Sequence, residues 1–246
     1  MKFDLDWGVF FQEMPGGGET YWELLLAGIG WTMAVSACAL VIALVLGSII
    51  GTIRTTNNVW LVRFGNAWVE LFRNIPLLVQ LFIWYFVVPE LLPGAIGTWI
   101  KQLNPLLQQM LAGVVCLGMY TSARIAEQVR SGIASLPRGQ RHAGLALGFT
   151  TAQTYRYVLL PVAFRIIVPP LTSEFMTVFK NSAVMSMIGL LELAAQGRQL
   201  VDYTSQPYES FAAVTLLYIL INLTALSLMR WIEKRVQIPG MLAGNP

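Results

Sequence analysis

Five apolar stretches alternate with short polar loops along the chain. They cover residues 24–53, 74–92, 105–130, 166–191 and 210–229. A transmembrane helix needs about 20 predominantly apolar residues. The first and last stretches carry no charge, whereas the second is of marginal length and the fourth is interrupted by Pro169-Pro170 and two charged residues. The pattern therefore predicts an all-α integral membrane protein with five transmembrane helices.

The composition supports this placement in a membrane. Of the 246 residues, 56% are hydrophobic and only 12% are charged, whereas soluble domains average about a quarter charged. One membrane domain is the natural count for this length. Cys38 and Cys116 both lie inside apolar stretches, so we expect them to pack against neighbours rather than form a disulfide or bind metal.

The distribution of Lys and Arg predicts how the chain is oriented. Three quarters of the 16 basic residues fall within residues 54–73, 124–165 and 230–235, whereas the first 23 residues contain one Lys and five carboxylates. Cytoplasmic loops of membrane proteins are enriched in Lys and Arg. We therefore expect three parts: a periplasmic N-terminal leader (residues 1–21), a transmembrane domain (residues 22–235) and a cytoplasmic C-terminal tail (residues 236–246).

The most informative motif is a basic segment between the third and fourth apolar stretches. Residues 139–148 read GQRHAGLALG, and Leu160-Pro161 follows twelve residues after them. This segment resembles the "EAA" loop of bacterial ABC importer permeases, in which a short helix docks into a groove of a separate ATPase subunit. The residues that match its pattern are Ala143, Gly148, Leu160 and Pro161. His142 and Gly144 depart from it, because they stand where the family has Glu and a second Ala.

Three further stretches resemble one branch of those permeases, the polar-amino-acid importers. They are residues 70–82 (ELFRNIPLLVQLF), 120–133 (YTSARIAEQVRSGI) and 179–184 (FKNSAV), and they occur in the family's order. Within the branch, the sequence segments VELFRNIPL, SLPRGQ and YRYVLLP are most similar to those of glutamate/aspartate permeases. An ordinary basic loop or an unrelated membrane protein would not be expected to contain this ordered set.

The resemblance implies a fold, a location and a set of partners. It implies a type I ABC importer permease fold in the bacterial inner membrane, with a second permease chain that is identical or related. It also implies two copies of an ATPase subunit and a periplasmic solute-binding protein. The implied function is import of L-glutamate and L-aspartate by alternating access. A neutral or basic amino acid, such as glutamine or histidine, stays open as the substrate, and a non-ABC scaffold or channel-like protein stays open as the class.

The basic segment itself predicts a short helix presented by a loop. Pro137 fixes φ and Gly139 permits positive φ, so a turn precedes a helix over about residues 140–147. Gly148 suits a helix C-cap or a point of close approach. The resemblance then makes the ATPase-coupling residues Arg141, His142, Ala143, Gly144, Leu147 and Gly148. The alternative is an amphipathic helix that lies on the lipid headgroups.

Ionisable residues within the apolar stretches are candidates for substrate contact, because burying a charge in a membrane is costly. Arg124 follows 19 uncharged residues, and its planar donors suit a carboxylate. Glu127 lies three residues on and could instead pair with it structurally. The candidate substrate-binding residues are Arg124, Glu127, Thr172, Ser173 and Glu174. For the two hydroxyls, backbone and helix packing is the competing interpretation.

Several functions are disfavoured by what the sequence lacks. There is no G-x-x-x-x-G-K-[ST] motif, so we expect ATP hydrolysis on a partner subunit rather than on this chain. A single His and no Cys/His ligand spacing make a metal site or a Ser/His/Asp triad improbable. We expect no catalytic residue, no cofactor, no metal and no nucleic-acid partner. Membrane lipid is the remaining expected contact.

Overall fold

A computed structural model describes residues 5–236, and nearly all of them are helical. The helices are α1 (Tyr21–Ile53), α2 (Val59–Asn74), α3 (Leu77–Phe82), α4 (Val88–Leu91), α5 (Gly94–Gln102), α6 (Pro105–Ala134), α7 (Arg138–Ala146), α8 (Thr151–Thr154), α9 (Leu160–Asn181), α10 (Leu193–Thr204) and α11 (Pro207–Val236). Short π-helical segments, Ile83–Val87 and Tyr155–Leu159, join α3 to α4 and α8 to α9. Apart from Val236, the predicted tail lies outside the described residues.

Four helices are long and apolar enough to cross a membrane. They are Tyr21–Ile53, Pro105–Ala134, Thr151–Ile188 and Pro207–Val236, which are 33, 30, 38 and 30 residues long. At 1.5 Å per residue, even 30 residues extend about 45 Å, more than the hydrocarbon core of about 30 Å. The first, third, fourth and fifth predicted stretches therefore each form a helix of spanning length.

The second predicted stretch is part of a bent pair of helices. α2 and the segment Leu77–Leu91 meet at an angle of 102°, and the break falls at Ile75 and Pro76, where the backbone is extended. Leu77–Leu91 extends only about 22 Å, so it crosses a bilayer only with help from flanking residues or local thinning. The fold thus has four long spans and this shorter candidate as the fifth.

The two consecutive prolines do not interrupt the fourth span, contrary to the sequence expectation. α9 continues from Leu160 to Asn181 with Pro169 and Pro170 inside it. Proline removes a backbone donor, but membrane helices tolerate it where neighbouring groups satisfy the backbone that it exposes. The Gln128 side chain on α6 donates to the Pro170 carbonyl at 3.4 Å, which ties α9 to α6 beside the two prolines.

The described residues divide into two compact units. Unit 1 contains residues 5–41, 76–118 and 177–223, and unit 2 contains residues 42–75, 119–176 and 224–236.

Unit 1 contains a fully buried carboxylate, Glu192, at the N-terminus of α10. Its two oxygens accept hydrogen bonds from the backbone N–H groups of Ala194 and Ala195 at 3.0 and 2.8 Å, and the Tyr218 hydroxyl donates to it at 2.7 Å. A helix N-terminus carries partial positive charge and unpaired N–H groups, which suits a buried carboxylate. Glu192 therefore fixes where α10 begins and ties it to α11.

The described part of the N-terminal leader also belongs to unit 1. A short 3₁₀ helix covers Trp7–Phe11, and Glu13 and Thr20 form an isolated antiparallel bridge around a turn. The glycines at 16–18 all have positive φ, which only glycine adopts readily. The backbone N–H of Asp6 donates to Glu209 on α11 at 2.9 Å, so the leader is held against that helix.

Unit 2 has an apolar core formed by α6, the π-helical segment Tyr155–Leu159, α9 and α11. Its fully buried members include Ile125, Val129, Leu159 and Ile167. α1 approaches this core through Gly47 and Gly51, which are four residues apart. A Cβ atom on Gly51 would lie 2.6 Å from the Val129 Cβ and 2.7 Å from the Ala126 carbonyl oxygen. Small residues at this spacing let membrane helices pack backbone to backbone.

This close approach predicts the effect of a larger residue in α1. Gly51→Leu should destabilise the protein because the new side chain meets backbone atoms of α6, which cannot move aside singly. Overpacking of this kind costs typically about 1–3 kcal/mol. Gly30→Leu is the matched control, since nothing lies within 4 Å of a Cβ at that position on the same helix. The midpoint of thermal unfolding in detergent should fall for Gly51→Leu only; equal midpoints would contradict the packing argument.

Candidate functional site

The predicted residue Arg124 forms an ion pair with Glu174 inside unit 2. Its Nε donates to Glu174 Oε2 at 2.7 Å and its Nη2 donates to Oε1 at 3.1 Å. Arg124 lies ten residues before the end of α6, and Glu174 lies on α9, so the pair joins two spanning helices. The Glu174 side chain is 7% exposed and that of Arg124 is 41% exposed. The carboxylate is therefore buried, while part of the guanidinium remains accessible.

Gln128 completes this polar cluster, although the sequence prediction did not include it. Its Nε2 donates to Glu174 Oε1 at 3.1 Å, and it lies one helical turn after Arg124 on α6. Residues four apart share a helix face, and this spacing was the signal that could have identified it. Its Oε1 is buried and has no hydrogen-bond partner among the described residues. The cluster thus offers both an unused acceptor and unused donors.

Glu127 does not pair with Arg124, which corrects the alternative drawn from their spacing. Its Oε1 accepts from Arg54 Nη2 at 2.8 Å and lies 3.5 Å from Arg73 Nη1, and its Oε2 accepts from Arg130 Nε at 3.2 Å. The reason is competition: three arginines in unit 2 reach this one carboxylate, whereas Glu174 accepts both donors of Arg124. Glu127 therefore belongs to a separate basic cluster, defined here as Arg54, Arg73, Glu127 and Arg130.

The two hydroxyl residues lie beside Glu174 on α9 but are not oriented alike. Thr172 Oγ1 donates to the Val168 carbonyl at 3.4 Å, one turn earlier on its own helix. This is the backbone packing role that competed with ligand contact. Ser173 is exposed. Of the five predicted substrate residues, the structure therefore brings Arg124 and Glu174 into direct contact and places Glu127 in the basic cluster.

The Arg124–Glu174 pair can recognise an anion without leaving a buried charge uncompensated. A guanidinium has five N–H donors; Glu174 occupies two of them, and the Tyr120 side chain also bonds to the guanidinium. The remaining N–H groups of a partly exposed Arg124 can donate to a second carboxylate in the planar geometry that arginine favours. Glu174 holds the side chain in place, so little conformational freedom would be lost on binding.

The predicted coupling helix is present as α7, close to the expected bounds. It covers Arg138–Ala146, begins after Pro137 and ends at Leu147. Gly148 has a φ of +83°, its N–H donates to the Leu145 carbonyl, and the Phe149 N–H donates to the Gly144 carbonyl. These two bonds form a Schellman motif, in which glycine is favoured because it adopts positive φ without strain. Of the two roles open for Gly148, this geometry supports the C-cap.

The close-approach role belongs instead to Gly144. A Cβ there would lie 2.9 Å from Thr154 Cγ2 on α8, whereas nothing lies within 4 Å of a Cβ at Gly148. Gly144 therefore stands where the resembling motif has alanine because α7 and α8 meet at this point. This contact fixes α7 against the rest of its loop.

The outer surface of α7 combines exposed apolar and polar residues. Leu147 is 76% exposed and Leu145 is 43% exposed, and His142 and Ala143 are also exposed, while Arg141 is half-buried. An exposed leucine at the end of a short helix is typical of a segment that inserts into a groove of a partner. The predicted coupling residues therefore share one short helix and its C-cap.

One protein family accounts for these features together. The sequence profile of the family described as the binding-protein-dependent transport system inner membrane component matches residues 22–238. Apart from Tyr21, this match includes all four long spans, and it also includes the Arg124–Glu174 pair and α7. The chain belongs to this family.

The permease has similar relatives over its whole length. It is 50% identical to the glutamate/aspartate import permease protein GltJ of Escherichia coli (strain K12) over 246 residues, which is 100% of both chains. It is 31% identical to the glutamine transport system permease protein GlnP of the same organism, over 97% of this chain and 100% of GlnP. It is 32% identical to the probable glutamine ABC transporter permease protein GlnM of Bacillus subtilis (strain 168), over 87% of this chain and 94% of GlnM.

Solved structures show the same fold. The crystal structure of an amino acid ABC transporter with histidines superposes with a TM-score of 0.72 at 28% identity, over 87% of the permease and 95% of that chain. The inward-facing MetNI methionine ABC transporter gives a TM-score of 0.74 at 23% identity, over 90% and 100%. The type I ABC importer permease fold and the multi-pass inner-membrane location are therefore confirmed.

The C-cap of α7 predicts how substitutions at Gly148 will behave. Gly148→Val should disorder the end of the helix, because a β-branched residue at positive φ is strained by about 1–2 kcal/mol, roughly five- to thirtyfold in population. Gly148→Asn is the control, since asparagine tolerates this conformation. The sequence predicts that α7 docks into the ATPase subunit. ATP-driven uptake and retention of that subunit should therefore fall for the valine variant alone. Equal losses for both variants would assign the effect to side-chain contact instead.

Proposed function

We propose that this permease is a subunit of an ATP-driven importer of L-glutamate and L-aspartate. The observation that carries the proposal is the 50% identity over the full length of both chains to GltJ, a glutamate/aspartate import permease protein. The partly exposed Arg124 in the membrane-spanning core supports it independently, because an acidic substrate needs a cation that it can reach.

In this proposal Arg124 is the substrate contact and Glu174 is its positioning residue. A substrate carboxylate bonds to the guanidinium donors that Glu174 and Tyr120 leave unused. A charge-assisted hydrogen bond of this kind contributes about 1.5–3 kcal/mol, or roughly ten- to a hundredfold in affinity. Gln128 and Ser173 lie beside the pair and can reach the substrate's other polar groups. Glu127 and Thr172 take structural roles in this refined version of the site.

Glutamine is the alternative substrate within the family. GlnP and GlnM, two relatives named for glutamine, match most of the chain at 31% and 32% identity. A neutral side-chain amide would use the unpaired Gln128 Oε1 as readily as Arg124. Glutamine still carries an α-carboxylate, so Arg124 alone does not separate the two. The uptake of both substrates by the same complex decides between them.

The transport cycle in this proposal requires partners that supply energy and substrate. The chain contains no ATP-binding motif, so two copies of an ATPase subunit hydrolyse ATP and contact α7 and its C-cap through Arg141, His142, Ala143, Leu147 and Gly148, while the buried Gly144 holds α7 against α8. A second permease chain completes the pathway, and a periplasmic solute-binding protein delivers the amino acid. Closure of the ATPase dimer moves α7 and opens the pathway outward. Different substrate affinities in the two states make the cycle directional.

The orientation that this cycle requires has the N-terminus in the periplasm and the C-terminus in the cytoplasm. Reporter fusions after Met14 and Leu103 should therefore read as periplasmic, and fusions after Arg138 and Arg235 as cytoplasmic. Met14 precedes the first span, Leu103 and Arg138 lie between spans, and Arg235 lies at the end of the last helix, so each fusion follows a whole number of crossings. A cytoplasmic result after Leu103 would mean that the bent segment Leu77–Leu91 does not cross the membrane.

Because Arg124 contacts the substrate in this proposal, removing its charge should reduce uptake of acidic amino acids. The complex should still assemble, provided that the buried Glu174 carboxylate is neutralised as well. Arg124→Gln alone leaves the buried Glu174 without an opposite charge, which costs about 3–5 kcal/mol and should impair assembly. The double variant Arg124→Gln/Glu174→Gln removes both charges, so it should assemble. In proteoliposomes containing the whole complex, its uptake of glutamate and aspartate should fall roughly ten- to a hundredfold.

Two further variants complete this experiment. Arg124→Lys should transport partially, because an ammonium lacks the planar pair of donors. Glu174→Gln keeps the guanidinium and should retain more glutamate uptake than the double variant. If the double variant imports glutamate as well as the parent does, Arg124 serves only to pair with Glu174, and the acidic substrate would depend on the relatives alone.

A further inference from the structure

The basic cluster borders a cavity that the transport proposal does not use. The cavity has a volume of about 360 Å³ and lies within unit 2, at the end of α6. This size falls within the range of small-ligand sites, roughly 300–1,000 Å³. Three arginines line it, together with apolar side chains from α6, its following turn and the segment Tyr155–Leu159: the lining includes Arg54, Arg130, Arg141, Ile133, Leu136 and Leu159.

Within the described part of the chain, the arginines around this cavity are not fully neutralised. Arg54, Arg73 and Arg130 share one carboxylate, Glu127, so the basic cluster carries an excess of two positive charges. Arg141 adds a third positive charge to the lining, and no carboxylate lines the cavity among the described residues. Like charges held together in a partly buried site repel one another, so an anion in the cavity would stabilise this arrangement.

One of these arginines also has a donor without a partner. The Arg54 side chain is only 8% exposed; its Nε donates to Asn66 at 2.8 Å and its Nη2 donates to Glu127 at 2.8 Å. Its Nη1 is buried and has no hydrogen-bond partner among the described residues. An unpaired guanidinium donor is unfavourable in a buried position. A ligand with several acceptor oxygens would satisfy the donor set around the cavity.

We propose that this cavity binds a phosphate group, supplied by the headgroup of an anionic phospholipid or by free inorganic phosphate. Arginine favours phosphate because its planar donors match the oxygens in pairs. The apolar part of the lining suits the glycerol and acyl region of a lipid, and basic pockets between spanning helices bind anionic headgroups. The cavity lies at the basic ends of the helices, which face the cytoplasm in the proposed topology.

Binding at this site would connect three segments of unit 2. Arg54 and Thr55 follow α1, Arg130 lies in the last turns of α6, and Arg141 lies in α7. Tyr155 already ties the first segment to the loop, since its hydroxyl donates to the Thr55 carbonyl at 2.8 Å. An anion bridging these arginines would hold α7 in position. The binding proposal does not depend on which amino acid is transported.

The test uses the full permease chain assembled with its ATPase subunit in lipid nanodiscs. One arm mixes phosphatidylglycerol with phosphatidylcholine and measures, by native mass spectrometry, which lipid the complex retains. The other arm uses phosphatidylcholine alone and measures binding of radiolabelled inorganic phosphate. The variants are Arg130→Gln, Arg141→Gln and the double variant, and Arg63→Gln is the matched control, because Arg63 is exposed on α2 and does not line the cavity.

The expected results separate the two sources of phosphate. Selective retention of phosphatidylglycerol that weakens about fivefold for each cavity arginine removed, and further when both are removed, identifies the lipid headgroup. The same dependence for radiolabelled phosphate identifies the soluble anion. Arg63→Gln should bind like the parent in either case. The proposal is overturned if neither probe depends on Arg130 and Arg141, if Arg63→Gln weakens binding equally, or if the assembled complex excludes both probes because the ATPase covers the cavity.

Discussion

The polar organisation of unit 2 depends on the pairing of two carboxylates with arginines from other segments. An ionised side chain in a membrane protein's interior is tolerated only when an opposite charge and hydrogen bonds compensate it. Glu174 on α9 satisfies this condition with Arg124 on α6. Glu127, almost one turn further along α6, satisfies it with Arg54, which follows α1. These pairs fix which faces of α1, α6 and α9 meet.

The two pairs differ in how completely the charges cancel, and this difference separates their proposed roles. Glu174 faces one arginine that has donors to spare, which suits a small anionic substrate that comes and goes. Glu127 faces three arginines, so that cluster retains positive charge and suits a resident phosphate group. Helix α6 carries Arg124, which pairs with Glu174, and Glu127, which pairs with Arg54. Because α6 leads directly into the turn before α7, this one helix connects the proposed substrate contact with the proposed ATPase contact.

The close approach of neighbouring helix backbones sets the register in which these helices pack. In lipid, apolar side chains gain little by moving from tails to a neighbouring helix, so close packing through small residues and polar contacts hold the spans together. Gly47 and Gly51 bring α1 against α6, and Gly144 brings α7 against α8. A larger residue at any of these positions would displace a helix and, with it, the arginines that the helix positions.

The sequence by itself determined the spanning helices, α7 and the family. A long uncharged run has few alternatives to a membrane helix, and Gly148 ends α7 because positive φ favours glycine locally. It also identified Arg124 and Glu174 as candidates, since charges in apolar stretches stand out. Only the tertiary structure decided that they pair with each other, that Glu127 joins Arg54, and that Gln128, whose spacing places it on the face of Arg124, contacts Glu174. These partners lie 46 to 73 residues apart along the chain, and which side chains meet depends on helix packing, which no local pattern encodes.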